Sequence, residues 1–226
     1  MQKTKELLKD FISAALAGTF IGVGGTAYLT VAAQSKIAGA LFFAVGLFSI
    51  LLFKLNLFTG KVCYACENGK FYFLRLLVIF FGNFVGAFFF AFIINLSRLS
   101  ALSEVAKSIC EAKLSDGLLS VFVLSVLCNV MIYLAVEGFN KSESAVIKLA
   151  AVLFGVSVFV ICGFEHCVAN VFYISLSNMW IGKAFLFLIV NVLGNSAGGI
   201  LTRVSLKYVA SPINEKKVQN DGETEK

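Results

Sequence analysis

The chain has 226 residues, of which 59% are hydrophobic and only 14% charged, with a net charge of +6 and a mean hydropathy of +0.89. A soluble domain of this length needs more polar surface than that composition supplies. The basic residues are scattered over loops and tails without interleaved aromatics, so nucleic acid is not an expected partner. The lipid bilayer is the expected solvent.

Met1 to Asp10 is short and charged. The apolar stretch behind it outruns a signal-peptide core and carries no cleavage site, so the first span is expected to stay in the mature protein. Six apolar spans follow, at about 11–33, 37–57, 72–96, 118–136, 150–172 and 184–207. Residues 98–117 mix Leu, Ile, Lys and Glu and read as an amphipathic surface helix. It joins two halves of three spans each, about 11–97 and 117–207. Residues 1–210 form a single transmembrane domain, and the polar stretch 211–226 reads as a disordered cytoplasmic tail. Orientation follows from the basic residues. With the N-terminus inside, only Lys36, Arg98, Lys107, Lys113 and Lys183 of the nineteen fall outside. Both termini are then cytoplasmic, in a multi-pass protein of the cell membrane.

The two halves echo one another. Gly82-Asn83-Phe84-Val85-Gly86 in the third span is matched by Gly194-Asn195-Ser196-Ala197-Gly198 in the sixth. Each follows a polar interruption in the preceding span, Asn56 to Gly60 and Gly163 to His166. Three crossings per half make the halves run in opposite directions, as in inverted repeats whose broken helices meet near the midplane. The expected fold is therefore all-α, with six transmembrane helices in a three-plus-three inverted repeat and broken second and fifth helices.

His166 is the only histidine, and it sits beside Glu165 inside an apolar run. An ionisable residue at mid-membrane costs about 2.5–3.5 kcal/mol on insertion scales, so both need partners or water. Two readings stand: a pore centre that attracts anions or exchanges protons, or a histidine satisfied in the bundle interior with Glu165 as its partner. The other interruption offers the Thr59 hydroxyl and free backbone N–H groups to an anion, unless the second span simply ends there. Asn129, alone among apolar neighbours, can donate into a pore or hold two helices together. Cys63 and Cys66 form a C-x-x-C without a second pair or a nearby histidine, so the six cysteines read as buried free thiols. No metal and no cofactor is expected. A membrane-embedded enzyme could use Glu165 and His166 as an acid–base pair, but the first and third spans offer few further polar residues.

These motifs together resemble the formate–nitrite transporter family. Leu57-Phe58-Thr59-Gly60 is similar to its first signature and Cys128-Asn129-Val130-Met131-Ile132-Tyr133-Leu134-Ala135 to its second. Gly163-Phe164-Glu165-His166-Cys167-Val168-Ala169-Asn170 is similar to its G-F-E-H-x-x-A-N stretch. The resemblance implies an aquaporin-like protomer with its own pore, a homopentamer, and a small monovalent anion as substrate. Formate or nitrite is favoured, and hydrosulfide is the alternative. It implies that His166 is the central pore histidine with Glu165 its neighbour, and that Thr59 and Asn129 face it. It also implies a cytoplasmic constriction at Phe43 and Leu47 and an outer one at Phe159. Leu55 and Asn56 stand where the family usually has Gly and an acidic residue, and the connection from the G-F-E-H stretch to the last span is short. Both features bear on the substrate subtype. On this reading basic vestibules gather the anion, polar donors offset its desolvation, and His166 can share a proton with it.

Overall fold

The computed structural model describes residues 2–211, so the expected tail lies outside the described residues except for Ser211. Nine helices and one 3-10 turn are described, with no strand among these residues. In order they are α1 (Gln2–Ala32), α2 (Lys36–Leu52), α3 (Phe58–Lys61), the 3-10 turn (Val62–Glu67), α4 (Lys70–Asn95), α5 (Leu102–Ser115), α6 (Leu118–Lys141), α7 (Ala145–Ile161), α8 (Cys167–Leu176) and α9 (Gly182–Ala210). α1, α4, α6 and α9 are long and apolar enough to cross a membrane. α2, α7 and α8 are shorter apolar helices.

The outer surface carries large apolar side chains that water would not tolerate in such number. Leu77, Leu96, Leu119 and Phe154 are 68%, 72%, 77% and 71% exposed. A surface of this kind faces lipid or another subunit. The protein is a multi-pass membrane protein.

α1 packs extensively against α4 and α2, and α6 against α9. Small residues set the approach. A Cβ at Gly86 on α4 would collide with the Ala15 carbonyl on α1, and one at Gly198 on α9 with the Val126 carbonyl on α6. In lipid such backbone contact substitutes for a hydrophobic driving force. α2 and α7 then pack against each other across the centre.

The helix limits differ from the expected spans in two instructive ways. α1 begins at Gln2 because its first turns, although charged, remain helical and pack Asp10 inward at 4% exposure. α2 stops at Leu52 and α7 at Ile161, so each apolar run contains a non-helical link before the next helix starts. The two links are built alike. Lys54 and Gly163 both take positive φ, at 54° and 70°. The next N–H donates back to the helix, from Leu55 to Ile50 O (2.8 Å) and from Phe164 to Phe159 O (2.9 Å). Asn83 of α4 accepts from Phe58 N–H (2.8 Å) and donates to the Asn56 carbonyl (2.9 Å). Asn195 of α9 accepts from Cys167 N–H (2.9 Å) and donates to the Glu165 carbonyl (2.8 Å). The Gly-Asn echo in the sequence is thus one hydrogen-bond pattern used twice.

At the end of the molecule where α9 finishes, Arg203 and Lys207 grip Glu67 of the 3-10 turn at 3.1 and 2.9 Å. These hydrogen bonds, with Arg203 the larger contributor, hold the Glu67 carboxyl down to about 2. A lowered carboxyl keeps its pairing above that point and loses it only in strong acid.

Gly86→Ala is expected to destabilise the protein by about 1–3 kcal/mol, because the added methyl meets backbone that cannot swing aside. Thermal melting of the detergent-solubilised chain measures it; an unchanged melt would contradict the close approach of α1 and α4.

Candidate functional site

His166 occupies the N-cap of α8, and its ring is 2% exposed. Its Nδ1 accepts the Ala169 N–H at 3.2 Å, so that nitrogen carries no proton. The proton of the neutral ring then resides on Nε2, which lies 3.1 Å from Thr59 Oγ1 in the first turn of α3. The structure therefore joins the ends of the two links through one side-chain hydrogen bond.

Asn129 on α6 lies next to this contact but faces elsewhere. Its amide nitrogen donates to the carbonyls of Thr59 (3.1 Å) and Asn195 (2.7 Å). Both donors are spent on backbone, which fixes the amide's orientation and leaves Oδ1 buried without a partner among the described residues. Its geometry is that of a tie between the halves, not a donor aimed at the imidazole.

Glu165 is 3% exposed and does not bond to His166. Its Oε2 accepts from Lys113 Nζ at 2.6 Å and from Asn170 Nδ2 at 2.8 Å. Asn170 also donates to Asn191 Oδ1, and Asn191 donates to Ser125 Oγ and to the Glu165 carbonyl. A chain of five polar side chains therefore runs from Lys113 to Ser125 beside the imidazole. Of the two readings, the one that makes Glu165 the partner of His166 is not what the structure shows, because the charge-compensating contact of Glu165 is to Lys113. Lys113, Asn191 and Ser125 were not among the residues singled out from sequence. A carboxylate inside an apolar run demands a counter-cation, and that demand was the one signal pointing to Lys113.

Two cavities lie at opposite ends of α2. One, of about 510 Å³, includes Lys36, Phe43, Lys113, Phe159, Glu165 and His166 in its lining. The other, of about 570 Å³, includes Leu47, Leu57, Lys61, Tyr64, Val136 and Lys148. No described residue lines both. Phe159 lies against His166 (5.8 Å, 20° between planes), and Phe43 meets Phe159 edge-on at 5.8 Å. Phe43 and Leu47 were expected at one constriction and Phe159 at the other. The structure instead seats Phe43 with Phe159 in the first cavity and Leu47 in the second, because residues four apart on α2 lie one turn apart along its axis. Thr59 is fully buried between the two.

The cysteines are not uniformly buried: Cys66 and Cys162 are exposed, and Cys63, Cys110, Cys128 and Cys167 are buried. Among the described residues no group of three His, Cys, Asp or Glu side chains is arranged to hold a metal ion.

Lys113→Ala is expected to destabilise the fold by about 2 kcal/mol, less than a fully buried pair would cost because Lys113 keeps some solvent contact. Adding Glu165→Gln should recover most of that loss. A double-mutant cycle on thermal or denaturant unfolding reads both, and additive losses would mean the two side chains are not coupled.

Comparison with known proteins gives the family and the fold. The Formate/nitrite transporter family matches residues 1–209. The formate channel FocA of Escherichia coli (strain K12) is 30% identical over 190 residues, covering 76% of this chain and 67% of that protein. The formate channel FocB of the same strain is 29% identical over 182 residues, covering 73% of this chain and 64% of that protein, so the match spans about two thirds of either relative's length. A solved pentameric formate channel with formate bound superposes with a TM-score of 0.78 at 25% identity, covering 91% of this chain and 97% of that one. These relatives are channels, not enzymes. With its matched links and the Thr59–His166 contact, this chain belongs to the formate/nitrite transporter family.

Proposed function

We propose that the chain is a channel for small monovalent anions, with formate or nitrite favoured, in which each protomer carries its own path past His166. In this reading α2 with α3, and α7 with α8, are the broken second and fifth crossings of a six-crossing inverted repeat. Residues 1–210 act as one channel domain, both termini are cytoplasmic, and five copies assemble. The carrying observation is the Thr59–His166 hydrogen bond, 3.1 Å long, lying between cavities that enter from opposite ends of α2.

The geometry supports a division of labour. Lys54, Lys61 and Lys148 line one cavity with no carboxylate among its lining residues, so an anion gains from positive charge there, whereas in the other Lys36 and Lys113 stand with Asp116 and Glu165. Leu47 would form one apolar constriction, with Leu57 and Val136 beside it in the same cavity, and Phe43 with Phe159 the other. A bare charge crosses such rings at high cost. His166 and Thr59 would offer hydrogen bonds between them, with Glu165 and Asn129 holding the surrounding backbone. With its proton on Nε2, the imidazole is set to donate a hydrogen bond to a weak-acid anion, and a proton taken from water in the cavity, not the ring's own, lets that anion pass the apolar ring as the neutral acid. Nδ1 stays engaged with the helix start throughout. Small acids that accept a proton readily are thereby preferred over chloride.

The test is flux into proteoliposomes for formate, nitrite, hydrosulfide, lactate and chloride at two pH values. His166→Asn is expected to lower proton-coupled formate uptake by on the order of 100-fold and to flatten its pH dependence. Uptake that stays proton-coupled and undiminished in this variant removes this role of His166, and wild-type chain passing none of the five anions removes the channel.

A further inference from the structure

Beside the first link, on the outer surface, α1 and residues 53–55 frame a cleft of about 600 Å³. Its wall is apolar. Leu8, Ile12 and Leu16 recur every four residues along one face of α1, and with Phe53 they are 59%, 54%, 49% and 61% exposed. Its rim is cationic, with Lys5, Lys9 and Lys54 all lining it and all exposed. None of the three is in an ion pair among the described residues. Asp10, next to Lys9, is committed to Arg75 at 2.6 Å and to the Asn56 amide at 2.9 Å. Glu6 lines a different cleft, with Gln2, Lys3 and Phe71.

Lys54 is the odd residue. It holds φ at 54°, a conformation glycine takes freely, and glycine fills the matching place in the other half at Gly163. The level of Lys54 is fixed by its neighbour, since the Asn56 N–H donates to Ser13 Oγ at 3.0 Å. Lys54 therefore sits beside the start of the apolar part of α1, where an ammonium group without a counter-anion is unfavourable. Three cations along one edge of an apolar trough match one kind of molecule, a phosphate group attached to a hydrocarbon chain.

We propose that this cleft binds an anionic phospholipid of the surrounding leaflet. Its headgroup phosphate is held by Lys5, Lys9 and Lys54, and an acyl chain lies along Leu8, Ile12, Leu16 and Phe53. The site stands apart from the transport reading. Lys54 and Leu55 also line the cavity containing Leu57, so a lipid seated here steadies the link from outside.

Native mass spectrometry of the full chain in detergent tests this, titrating phosphatidylglycerol against phosphatidylcholine of identical acyl chains. Phosphatidylglycerol should bind more tightly by on the order of 100-fold. Each of Lys5→Gln, Lys9→Gln and Lys54→Gln should weaken it roughly fivefold, and the triple variant should erase the preference. Lys107→Gln, on the far side of the molecule, should change nothing. Lys5 and Lys9 lie on exposed turns, so their single variants decide the matter even if Lys54→Gln misfolds. Equal affinity for the two lipids, or a triple variant that keeps the preference, overturns the proposal. So does displacement of the lipid by millimolar inorganic phosphate, which marks a free-anion site. A triple variant that changes oligomeric mass without changing lipid binding also overturns it, because a second copy then covers the cleft.

Discussion

Backbone polar groups freed inside a membrane protein must find partners within the protein, since the hydrocarbon offers none. This chain meets that demand at two places with a single residue type. Where α2 stops, Asn83 takes the Phe58 N–H and returns a hydrogen bond to the Asn56 carbonyl; where α7 stops, Asn195 does the same for Cys167 and Glu165. A carboxamide is suited to this because it carries an acceptor and two donors on one planar group. The second donor of each amide reaches a neighbouring helix, at the Ala14 carbonyl in one half and the Ser125 carbonyl in the other. Each asparagine therefore fixes both the link and the helix pair that carries it. The positions of Thr59 and His166 follow from these two anchors.

On that shared backbone the halves place different chemistry. The position before the last link residue is Asn56 in one half and Glu165 in the other, and each finds a charged partner on another helix, Asp10 and Lys113 respectively. The last link residue is Leu57 in one half and His166 in the other. Leu57 lines the cavity at one end of α2, and His166 caps α8 and lines the cavity at the opposite end. A near-symmetric fold thus sets an aliphatic side chain at the end of one link and an imidazole at the end of the other. Asn129 ties the two together by bonding to the Thr59 and Asn195 carbonyls at once.

The charges divide in the same way. Buried or half-buried ions are paired across helices, as Asp10 with Arg75 and Glu165 with Lys113. Such pairs cost more to break than they contribute when intact, because a lone buried charge has no water to return to. They hold α1 to α4 and α5 to the second link. Lys5, Lys9 and Lys54 lack that pairing among the described residues, and all three line one cleft on the outside of α1.

The sequence by itself determined the solvent, the helical class and the existence of two matched interruptions, because apolar run length and the Gly-Asn spacing are local features. It singled out His166, Glu165, Thr59 and Asn129, because polar residues inside apolar runs carry their own energetic demand. It did not determine their partners. Lys113 lies 52 residues from Glu165, and Asn191 is 66 residues from Ser125, so no local pattern joins them. Nor could composition distinguish Phe43 from Leu47, one turn apart on α2 and at different cavities. Only the tertiary structure decided these matters, since a hydrogen bond or a ring contact depends on where two helices meet in space and not on their separation along the chain.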